Sequence, residues 1–415
     1  KGETVKVITT DAKGFATTGA DTLPYGDYII RETKTNGSYL NTSAEMRVQV
    51  REDGKVYSFS AEDDVERGGV RLVKTDSETG SDPQNGLSFD GTQFELKSLN
   101  DNPIIVDGKT YAKNQVIDTL VIKDGQAVTD PHMLPYGTYS VQEVKAPEGY
   151  LLDETVHEFR IVDDGVLVNP IDHDGSIENQ IMRSDLEFTK KGEDGQDRLA
   201  GVAFKLTSEA TGESHVVVTD ENGYFSSASS WNKHTHDTNG NDWALKADGV
   251  IDSSKLDATA GVWFGDAEAD DSKGALPYGT YAIEELRCTA NEGYQLIETT
   301  VIVSRDGKVY DFGTLVDVKA SITTKAYDPT DGDSLVGMGE VKVSDKVTYA
   351  NLFPNRDYKL TAELHDSETG EPLLNSEGEP ISVEKHFTAQ NPTGSEVVEF
   401  TIDTIALGGK TITVY

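Results

Sequence analysis

Alternating apolar and polar residues, rather than helical spacing, organise most of this chain. The stretch Leu134-Pro-Tyr-Gly-Thr-Tyr-Ser-Val-Gln-Glu143 begins with a Pro/Gly turn and continues in a two-residue period, which predicts a turn leading into a half-buried strand. Closely similar stretches occur at residues 23–32 and 276–285. Convincing amphipathic helical patterns are absent. The repeats therefore predict a chain of similar β-modules.

A second repeated element opens the modules and places a lysine among apolar residues. Val70-Arg-Leu-Val-Lys74 and Leu186-Glu-Phe-Thr-Lys190 both alternate, so each lysine shares a strand face with the apolar residues before it. A lone lysine in this position ordinarily extends its amine to water at the strand end. The recurrence of the lysine makes a functional role an alternative that needs a structural test.

The repeats predict an all-β fold of four immunoglobulin-like sandwiches arranged end to end, with the first and last incomplete. A Gly and a Tyr, and then a hairpin, follow each Pro/Gly strand. The predicted modules cover residues 1–67, 68–182, 183–318 and 319–415, and the third carries an insertion at about 228–273.

Charge and composition exclude several classes of function. The formal net charge is −36, from 73 acidic and 37 basic residues. Such a surface repels phosphate backbones and anionic membranes, so neither nucleic-acid binding nor membrane insertion is expected. No apolar stretch has the length of a membrane span. Nothing in the sequence calls for a cofactor.

Cys288 is the only cysteine, so a disulfide framework within the chain and a cysteine-based zinc site are both excluded. We expect Cys288 to be a buried, inert thiol.

The lysine strand, the Leu-Pro-Tyr-Gly strand ending in glutamate, and an Asn near the module end together resemble the Cna B-type (SpaA-like) domains of Gram-positive adhesins and pilins. Modules one to three carry this resemblance. The fourth module resembles the VaFE or ester-bond domain through Ile322-Thr-Thr-Lys-Ala326 and Val341-Lys-Val-Ser-Asp345.

The resemblance implies that a first-strand lysine joins a last-strand Asn or Asp in a self-formed isopeptide bond, assisted by a glutamate. In the second module these residues are Lys74, Glu143 and Asn179. Burial lowers the pKa of a lysine and raises that of a carboxyl group, so an apolar core can supply a neutral amine and a protonated Glu143 that polarises the Asn carbonyl.

The other two modules depart from this pattern. The third has Lys190 and Glu285, but near its end only Asp317 could accept the amine, with a one-residue uncertainty in register. The first has Glu32 and Asp63 without an opening lysine strand. Its lysine strand is expected to precede the sequence or to come from elsewhere.

In ester-bond domains a Thr hydroxyl is joined to a Gln side chain. The resemblance implies Thr323 as the nucleophile, with Thr324 as the register alternative, and Asp345 as the supporting acid. The Glu, His and Gln of the family are expected beyond Tyr415, so this chain alone is not expected to complete the ester.

Other polar groups have simpler interpretations. His234 and His236 in the insertion could bind a transition metal, but a polar surface loop explains them equally well, and no metal site is predicted. The acidic run from Asp328 to Asp333 favours a turn over a calcium site. The tryptophans of the insertion could bind glycans, but packing against the sandwich is the simpler use; these are Trp231, Trp243 and Trp263.

The resemblance implies the stalk of a cell-wall-anchored adhesin or pilus protein on a Gram-positive surface. Its partners would be a host-surface or matrix ligand bound by a tip outside this chain, and other copies of the protein. No enzyme turnover is expected, only single-turnover cross-link formation. The alternatives are a ligand-binding adhesin module that uses the insertion, and an accessory region of a secreted carbohydrate-active enzyme.

Overall fold

In this computed structural model the protein consists almost entirely of β-strands, and the structure describes residues 2–41, 45–172, 175–193, 197–407 and 409–415. The chain divides into two compact units, Lys1–Ile181 and Met182–Tyr415. The prediction of an all-β fold is confirmed. Within the described ranges, no helix has the length and apolar character needed to cross a membrane.

The first unit begins with a turn that recurs later in the chain. The backbone N–H of Asp11 donates to the Phe15 carbonyl (2.9 Å), and the N–H of Phe15 donates to the Asp11 carboxylate. Asp220 and Tyr224 in the second unit form the same pair of hydrogen bonds. The antiparallel strands β1 (Gly26–Arg31) and β2 (Glu45–Val50) follow the first of these turns.

The rest of the first unit is a sandwich of two sheets. Its strands are β3 (Arg67–Asp76), β4 (Gln93–Ser98), β5 (Ile104–Val106), β6 (Lys109–Tyr111), β7 (Val116–Val121), β8 (Gln126–Val128), β9 (Leu134–Pro135), β10 (Gly137–Lys145), β11 (Val156–Ile161), β12 (Leu167–Val168) and β13 (Ile177–Asn179). One sheet has the order β11-β10-β4-β7. In the other, β3 pairs with β8 and β9 in antiparallel fashion and with β12 and β13 in parallel. The opening strand therefore lies beside the closing one.

The second unit begins with a sandwich of the same design. Its strands are β14 (Arg183–Lys191), β15 (Ala203–Ser208), β16 (Ser214–Val218), β17 (Tyr224–Ser226), β18 (Leu276–Pro277), β19 (Gly279–Glu285), β20 (Glu298–Val303) and β21 (Val309–Val316). One sheet has the order β16-β15-β19-β20, and in the other the opening strand β14 pairs in parallel with the closing strand β21. Apolar side chains from both sheets fill the space between them.

The repeated Leu-Pro-Tyr-Gly motif forms the same local structure in each copy. The second tyrosine of the motif turns back and donates its hydroxyl to the proline carbonyl four residues earlier. The pairs are Tyr28 to Pro24 (2.9 Å), Tyr139 to Pro135 (2.6 Å) and Tyr281 to Pro277 (2.8 Å). This bond fixes the start of the strand that carries the glutamate.

The insertion packs onto the edge of its sandwich. It contains one helical turn, α1 (Asn241–Ala244). The imidazole of His215, on edge strand β16, lies between the carboxylates of Asp242 (3.0 Å) and Glu213 (3.2 Å). Burial alone would lower the pKa of His215, but the two carboxylates raise it to about 9. A charged imidazole therefore ties α1 to the sheet.

The last part of the second unit is another pair of sheets. Its strands are β22 (Ser321–Tyr327), β23 (Glu340–Ala350), β24 (Arg356–Asp366), β25 (Ser382–Ala389), β26 (Gly394–Asp403) and β27 (Ile412–Val414). The sheets have the orders β22-β23-β26 and β25-β24-β27, and an apolar core fills the space between them.

Candidate cross-linking sites

The opening strands β3 and β14 hold their lysines inside the sandwiches through their alternating pattern. The backbone N–H of Lys74 donates to the carbonyl of Gly125 (2.9 Å), and that of Lys190 to the carbonyl of Gly223 (2.6 Å). Gly223 has a φ of +65°, and a Cβ built there would lie 2.6 Å from the Lys190 carbonyl oxygen. Only glycine fits this turn, which fixes the lysine backbone.

In the second module the structure brings Lys74, Glu143 and Asn179 together in the core. Their exposed fractions are 3%, 2% and 1%. The Lys74 amine lies 3.9 Å from Glu143 Oε2 and donates to the Ile177 carbonyl (2.8 Å). The Asn179 Nδ2 donates to Glu143 Oε1 (2.9 Å). Amine, carboxyl and amide thus meet at one point.

The electrostatics of this site favour an uncharged amine and a protonated carboxyl group. Burial lowers the pKa of Lys74 to about 8. Burial likewise raises the pKa of Glu143, against the opposing hydrogen bond from Asn179. The ring of Phe89 lies 5.7 Å from the Lys74 amine and adds to the apolar surroundings.

The orientation of the Asn179 amide differs from the expected one. The sequence predicted that Glu143 would polarise the Asn carbonyl, but Nδ2 faces Glu143 and also donates to the Leu151 carbonyl. Asn179 Oδ1 and Glu143 Oε2 are buried without a hydrogen-bond partner. Glu143 is therefore placed against the nitrogen of the amide rather than its oxygen.

A groove of about 680 Å³ reaches this site from the surface, and Asn179, Asp153 and His157 are among its lining residues. Burial lowers the pKa of His157. The backbone N–H of Asp153 donates to Glu143 Oε1 (3.4 Å). The groove therefore connects Asn179 with the surface of the module.

The third module brings Lys190, Glu285 and Asp317 together in the same way, and all three are buried. The Lys190 amine forms ion pairs with Asp317 Oδ1 and with Glu285 Oε2, the latter at 3.0 Å. Burial raises the pKa of Asp317 to about 7, although the hydrogen bond from Lys190 opposes the shift. This carboxyl group can therefore carry a proton near neutral pH.

The backbone removes the register uncertainty at Asp317. In each module the tyrosine after the Pro/Gly strand bridges a residue of the closing segment. The pairs are Tyr39 with Val65, Tyr150 with Ile181, and Tyr294 with Lys319. Asp63, Asn179 and Asp317 each lie two residues before the bridged residue. The three candidate acceptors therefore occupy equivalent positions.

One further residue of the third site was missed from the sequence. Asn291 is fully buried, and its Nδ2 donates to Glu285 Oε1 at 2.8 Å. It is the last residue of the 3₁₀ turn Thr289–Asn291, in a loop where no strand periodicity predicts which way a side chain points. Its spacing of three residues before Tyr294 is the only sequence signal that could have identified it.

The first module contains a carboxyl pair. Burial and the neighbouring carboxyl group of Asp63 raise the pKa of Glu32. Among the described residues, no lysine forms an ion pair with either carboxyl group. The structure thus brings two of the predicted residues together.

In the fourth module, the strand register distinguishes the two candidate threonines. Thr323 pairs with the exposed Thr348, whereas Thr324 and Ala326 pair with the buried Val347 and Asp345. Directly paired residues of antiparallel strands share a face, so Thr323 points away from Asp345 and Thr324 lies on the same strand face as Asp345. Both threonines are exposed, and the choice between them stays a prediction.

Asp345 itself is fully buried, and neither of its carboxylate oxygens has a hydrogen-bond partner. Burial raises the pKa of this carboxyl group. The position suits an acid that acts on a neighbour.

The remaining polar groups serve packing or turns. His234 and His236 contact backbone carbonyl oxygens, and no cluster of potential metal ligands occurs in the described ranges. The Asp328 carbonyl and carboxylate accept N–H groups within its own turn. Cys288 is buried in a small apolar cluster. Trp263 is fully buried, whereas Trp243 is 84% exposed.

Together, the repeated sandwiches and the two lysine–glutamate–acceptor sites define a chain of tandem prealbumin-like modules. The family model described as SpaA, prealbumin-like fold domain, matches residues 1–65 and 68–173. The model described as T-Q ester bond containing domain matches residues 320–415. The predicted resemblance to both domain families is confirmed over these residues.

Several solved structures match parts of this chain at low identity. The Bacillus anthracis TIE protein is 17% identical, with a TM-score of 0.39, and the match covers 87% of this chain and 47% of that one. A C-terminal fragment of pilus adhesin SpaC from Lactobacillus rhamnosus GG is 17% identical, with a TM-score of 0.32 and coverage of 61% and 98%. A variant of BcpA, the major pilin subunit of Bacillus cereus, is 15% identical, with a TM-score of 0.28 and coverage of 75% and 90%.

The chain spans less than half the length of the TIE protein. No curated protein matches the chain. The resemblance to known domain families therefore rests on the two family models, each over the residues that it matches.

Proposed function

We propose that the second and third modules each form one covalent bond between their opening and closing strands, Lys74 to Asn179 and Lys190 to Asp317. The observation that supports this most strongly is the recurrence of a buried lysine, a buried glutamate and a buried acceptor at the same register in both modules. Lysines are almost never fully buried unless they are paired, since the charged amine loses its hydration on burial.

In the second module the chemistry follows from the contacts. The Lys74 ammonium transfers one proton to Glu143, and the neutral amine then forms a C–N bond with Cγ of Asn179. The bond from Cγ to Nδ2 breaks, and Nδ2 leaves as ammonia after receiving a second proton that began on Nζ. Glu143 ends protonated. Its contact with Nδ2 (2.9 Å) supports a role in carrying that second proton.

The proposed bonds suit a protein that carries load. β3 and β13 are parallel neighbours, as are β14 and β21. A bond between them would pass force from the opening strand directly to the closing strand, leaving the strands between them out of the load path. We infer a structural stalk rather than an enzyme that turns over a substrate.

The wider role rests on the domain families. We infer that the chain is part of an adhesin or pilus protein at a Gram-positive cell surface, holding a tip outside this chain toward a host-surface or matrix ligand. The strongly negative charge, −36, would keep neighbouring stalks apart.

In the fourth module we propose an ester-type site in which Thr324, not Thr323, is the nucleophile and Asp345 the supporting acid. Thr324 and Asp345 lie on the same face of their paired strands, which supports this choice. The test compares Thr324→Ala with Thr323→Ala in a chain that carries the acceptor glutamine. Loss of the ester in the Thr323 variant alone would contradict the assignment.

Intact mass spectrometry of the denatured chain tests the central proposal. The Lys74–Asn179 bond removes one ammonia and the Lys190–Asp317 bond removes one water, so the two bonds are distinguishable. Digestion then assigns each loss to a branched peptide. A chain with its full unmodified mass would show that the proposal is wrong.

A second function is favoured by one observation in the insertion. Trp243 is exposed on α1, and Trp231 is partly exposed with an edge contact to Tyr224. Exposed indoles bind sugar rings. Glycan-array binding that disappears in Trp243→Ala would establish an adhesive surface on the stalk.

A further inference from the structure

The assisting glutamate receives an amide hydrogen bond in both modules, but from different sources. In the second module the donor is the acceptor residue itself, since Asn179 Nδ2 lies 2.9 Å from Glu143 Oε1. An aspartate acceptor has no amide to donate. In the third module Asn291 Nδ2 contacts Glu285 Oε1 at 2.8 Å instead.

The orientation of the Asn291 amide is fixed by its other contacts. Its Nδ2 also donates to the Leu286 carbonyl (2.9 Å), and its Oδ1 accepts the backbone N–H of Cys288 (2.9 Å). Interchanging nitrogen and oxygen would set acceptor against acceptor on one side and donor against donor on the other. The group aimed at Glu285 is therefore an N–H donor.

The residue type at the loop position of Asn291 varies among the modules together with the type of acceptor residue. Tyr294, Tyr150 and Tyr39 each donate their backbone N–H to the carbonyl three residues earlier, at 3.1, 3.2 and 3.0 Å. The residues that accept these bonds are Asn291, Pro147 and Asn36 respectively. The two modules with an Asp at the acceptor position have Asn in the loop, and the module with an Asn acceptor has Pro.

The third site must divide its protons between two carboxyl groups. Condensation needs Asp317 as the neutral acid, since a carboxylate is a poor electrophile, and Glu285 as the base that takes a proton from Lys190. Glu285 accepts N–H groups from Asn291 at Oε1 and from Ile297 at Oε2 (3.0 Å), besides its contact with Lys190. Hydrogen bonds donated to a carboxylate stabilise its ionised form. Asp317 Oδ2 has no partner.

We propose that Asn291 is a positioning residue that holds Glu285 as the ionised base, so that the proton resides on Asp317. This inference rests on the proposed cross-linking function. An Asn at this loop position is thus matched to an Asp acceptor, and an Asn acceptor supplies the amide itself.

The proposed bond between Lys190 and Asp317 forms by condensation with loss of one water. The Lys190 ammonium gives one proton to Glu285, and the free amine forms a C–N bond with Cγ of protonated Asp317. One C–O bond of Asp317 breaks, and that oxygen leaves as water with its own proton and a second proton from Nζ. Glu285 ends protonated, and the third Nζ proton remains on the new amide.

The experiment uses the full chain, refolded from denaturant and quenched at intervals for peptide mass spectrometry. Asn291→Ala is expected to slow loss of water from the Lys190–Asp317 peptides about tenfold or more, the effect of removing a hydrogen bond to a charged group. The ammonia loss at Lys74–Asn179 serves as an internal control and should be unchanged.

The double variant Asn291→Ala with Asp317→Asn separates positioning from simple loop damage. The new amide at position 317 can donate to Glu285 as Asn179 does to Glu143, so a bond should form again, now with loss of ammonia. Damage to the loop would not be repaired by this change.

Two outcomes would overturn the inference: wild-type rates of water loss in Asn291→Ala, or a double variant that stays unlinked. Failure of the underlying function has a different signature, because the wild-type chain would then show no loss of water in the third module.

Discussion

At the scale of single residues, the second site depends on one carboxyl group, because Glu143 contacts both the amine and the amide. Within the described ranges, no other ionisable side chain contacts both Lys74 and Asn179. The covalent bond, and the stability that it gives, should therefore be lost with Glu143 alone.

Glu143→Gln is expected to abolish the loss of ammonia and to lower the free energy of unfolding of the second module by about 4–5 kcal/mol. This is the loop-entropy value for a cross-link that closes about a hundred residues. Chemical denaturation with mass spectrometry of the same samples measures both effects. The exposed Glu158→Gln, on the neighbouring strand, should change neither.

The rate of bond formation in the second module should depend on pH with a maximum. The reactive pair of Lys74 and Glu143 holds one proton fewer than the fully protonated site. The rate of bond formation should therefore rise as the pH passes the raised pKa of Glu143, where the pair loses its first proton. It should fall above the Lys74 pKa of about 8, where the pair loses its last proton and no protonated glutamate remains. Refolding into buffers across this range, with acid quenching, gives the profile. A rate that keeps rising beyond that limit would contradict the assigned acid.

At the scale of structural elements, the turn that accepts the backbone N–H of each lysine helps to hold the lysine strand in place. Gly223 and Gly125 occupy equivalent turns with φ values of +65° and +75°, and each accepts the lysine N–H. Only at Gly223 would a Cβ collide with the lysine carbonyl, whereas nothing lies within 4 Å at Gly125.

Gly223→Ala should therefore destabilise the third module by about 3 kcal/mol or more, against about 1–2 kcal/mol for Gly125→Ala in the second. The first change should also reduce cross-linking at Lys190, since it displaces that residue. Thermal unfolding and peptide mass spectrometry compare the two variants. Equal effects would show that the collision is relieved by movement of the turn.

The sequence predicted those parts of the sites that lie on regular strands. Alternation was enough to place Lys74 and Lys190 inside, because side chains on a strand have only two directions. Asp317 follows the end of a strand with a register shift, so its face was uncertain from the sequence. The choice between Thr323 and Thr324 was uncertain for the same reason, because a one-residue shift reverses the face. Asn291 lies in a loop that has no period.

At the scale of the whole molecule, the modules repeat a mechanical design in which the two ends of a module are adjacent parallel strands. Force applied along the chain enters through the lysine strand and leaves through the acceptor strand. With the bond in place, the strands between these points carry little of the load.

Single-molecule pulling should therefore show no extension of the cross-linked second and third modules. The double variant Glu143→Gln with Glu285→Gln should release roughly 340 Å for each hundred residues that unfold. Extension of the fourth module, which neither change touches, provides the internal reference. An unchanged trace in the double variant would place the resistance to force elsewhere.

Hydrolysis of the proposed bonds would have different products in the two modules, because their acceptor residues differ. If water reaches the third bond and hydrolyses it, Lys190 and Asp317 return unaltered, and the module can close again. Hydrolysis in the second module leaves aspartate at position 179, because the original amide nitrogen has been lost as ammonia. That module then has an acid acceptor but Pro147 where the loop would need Asn. Under the proposed chemistry the third module could re-form its bond after hydrolysis, whereas the second would carry a permanent Asn179→Asp change after its first break.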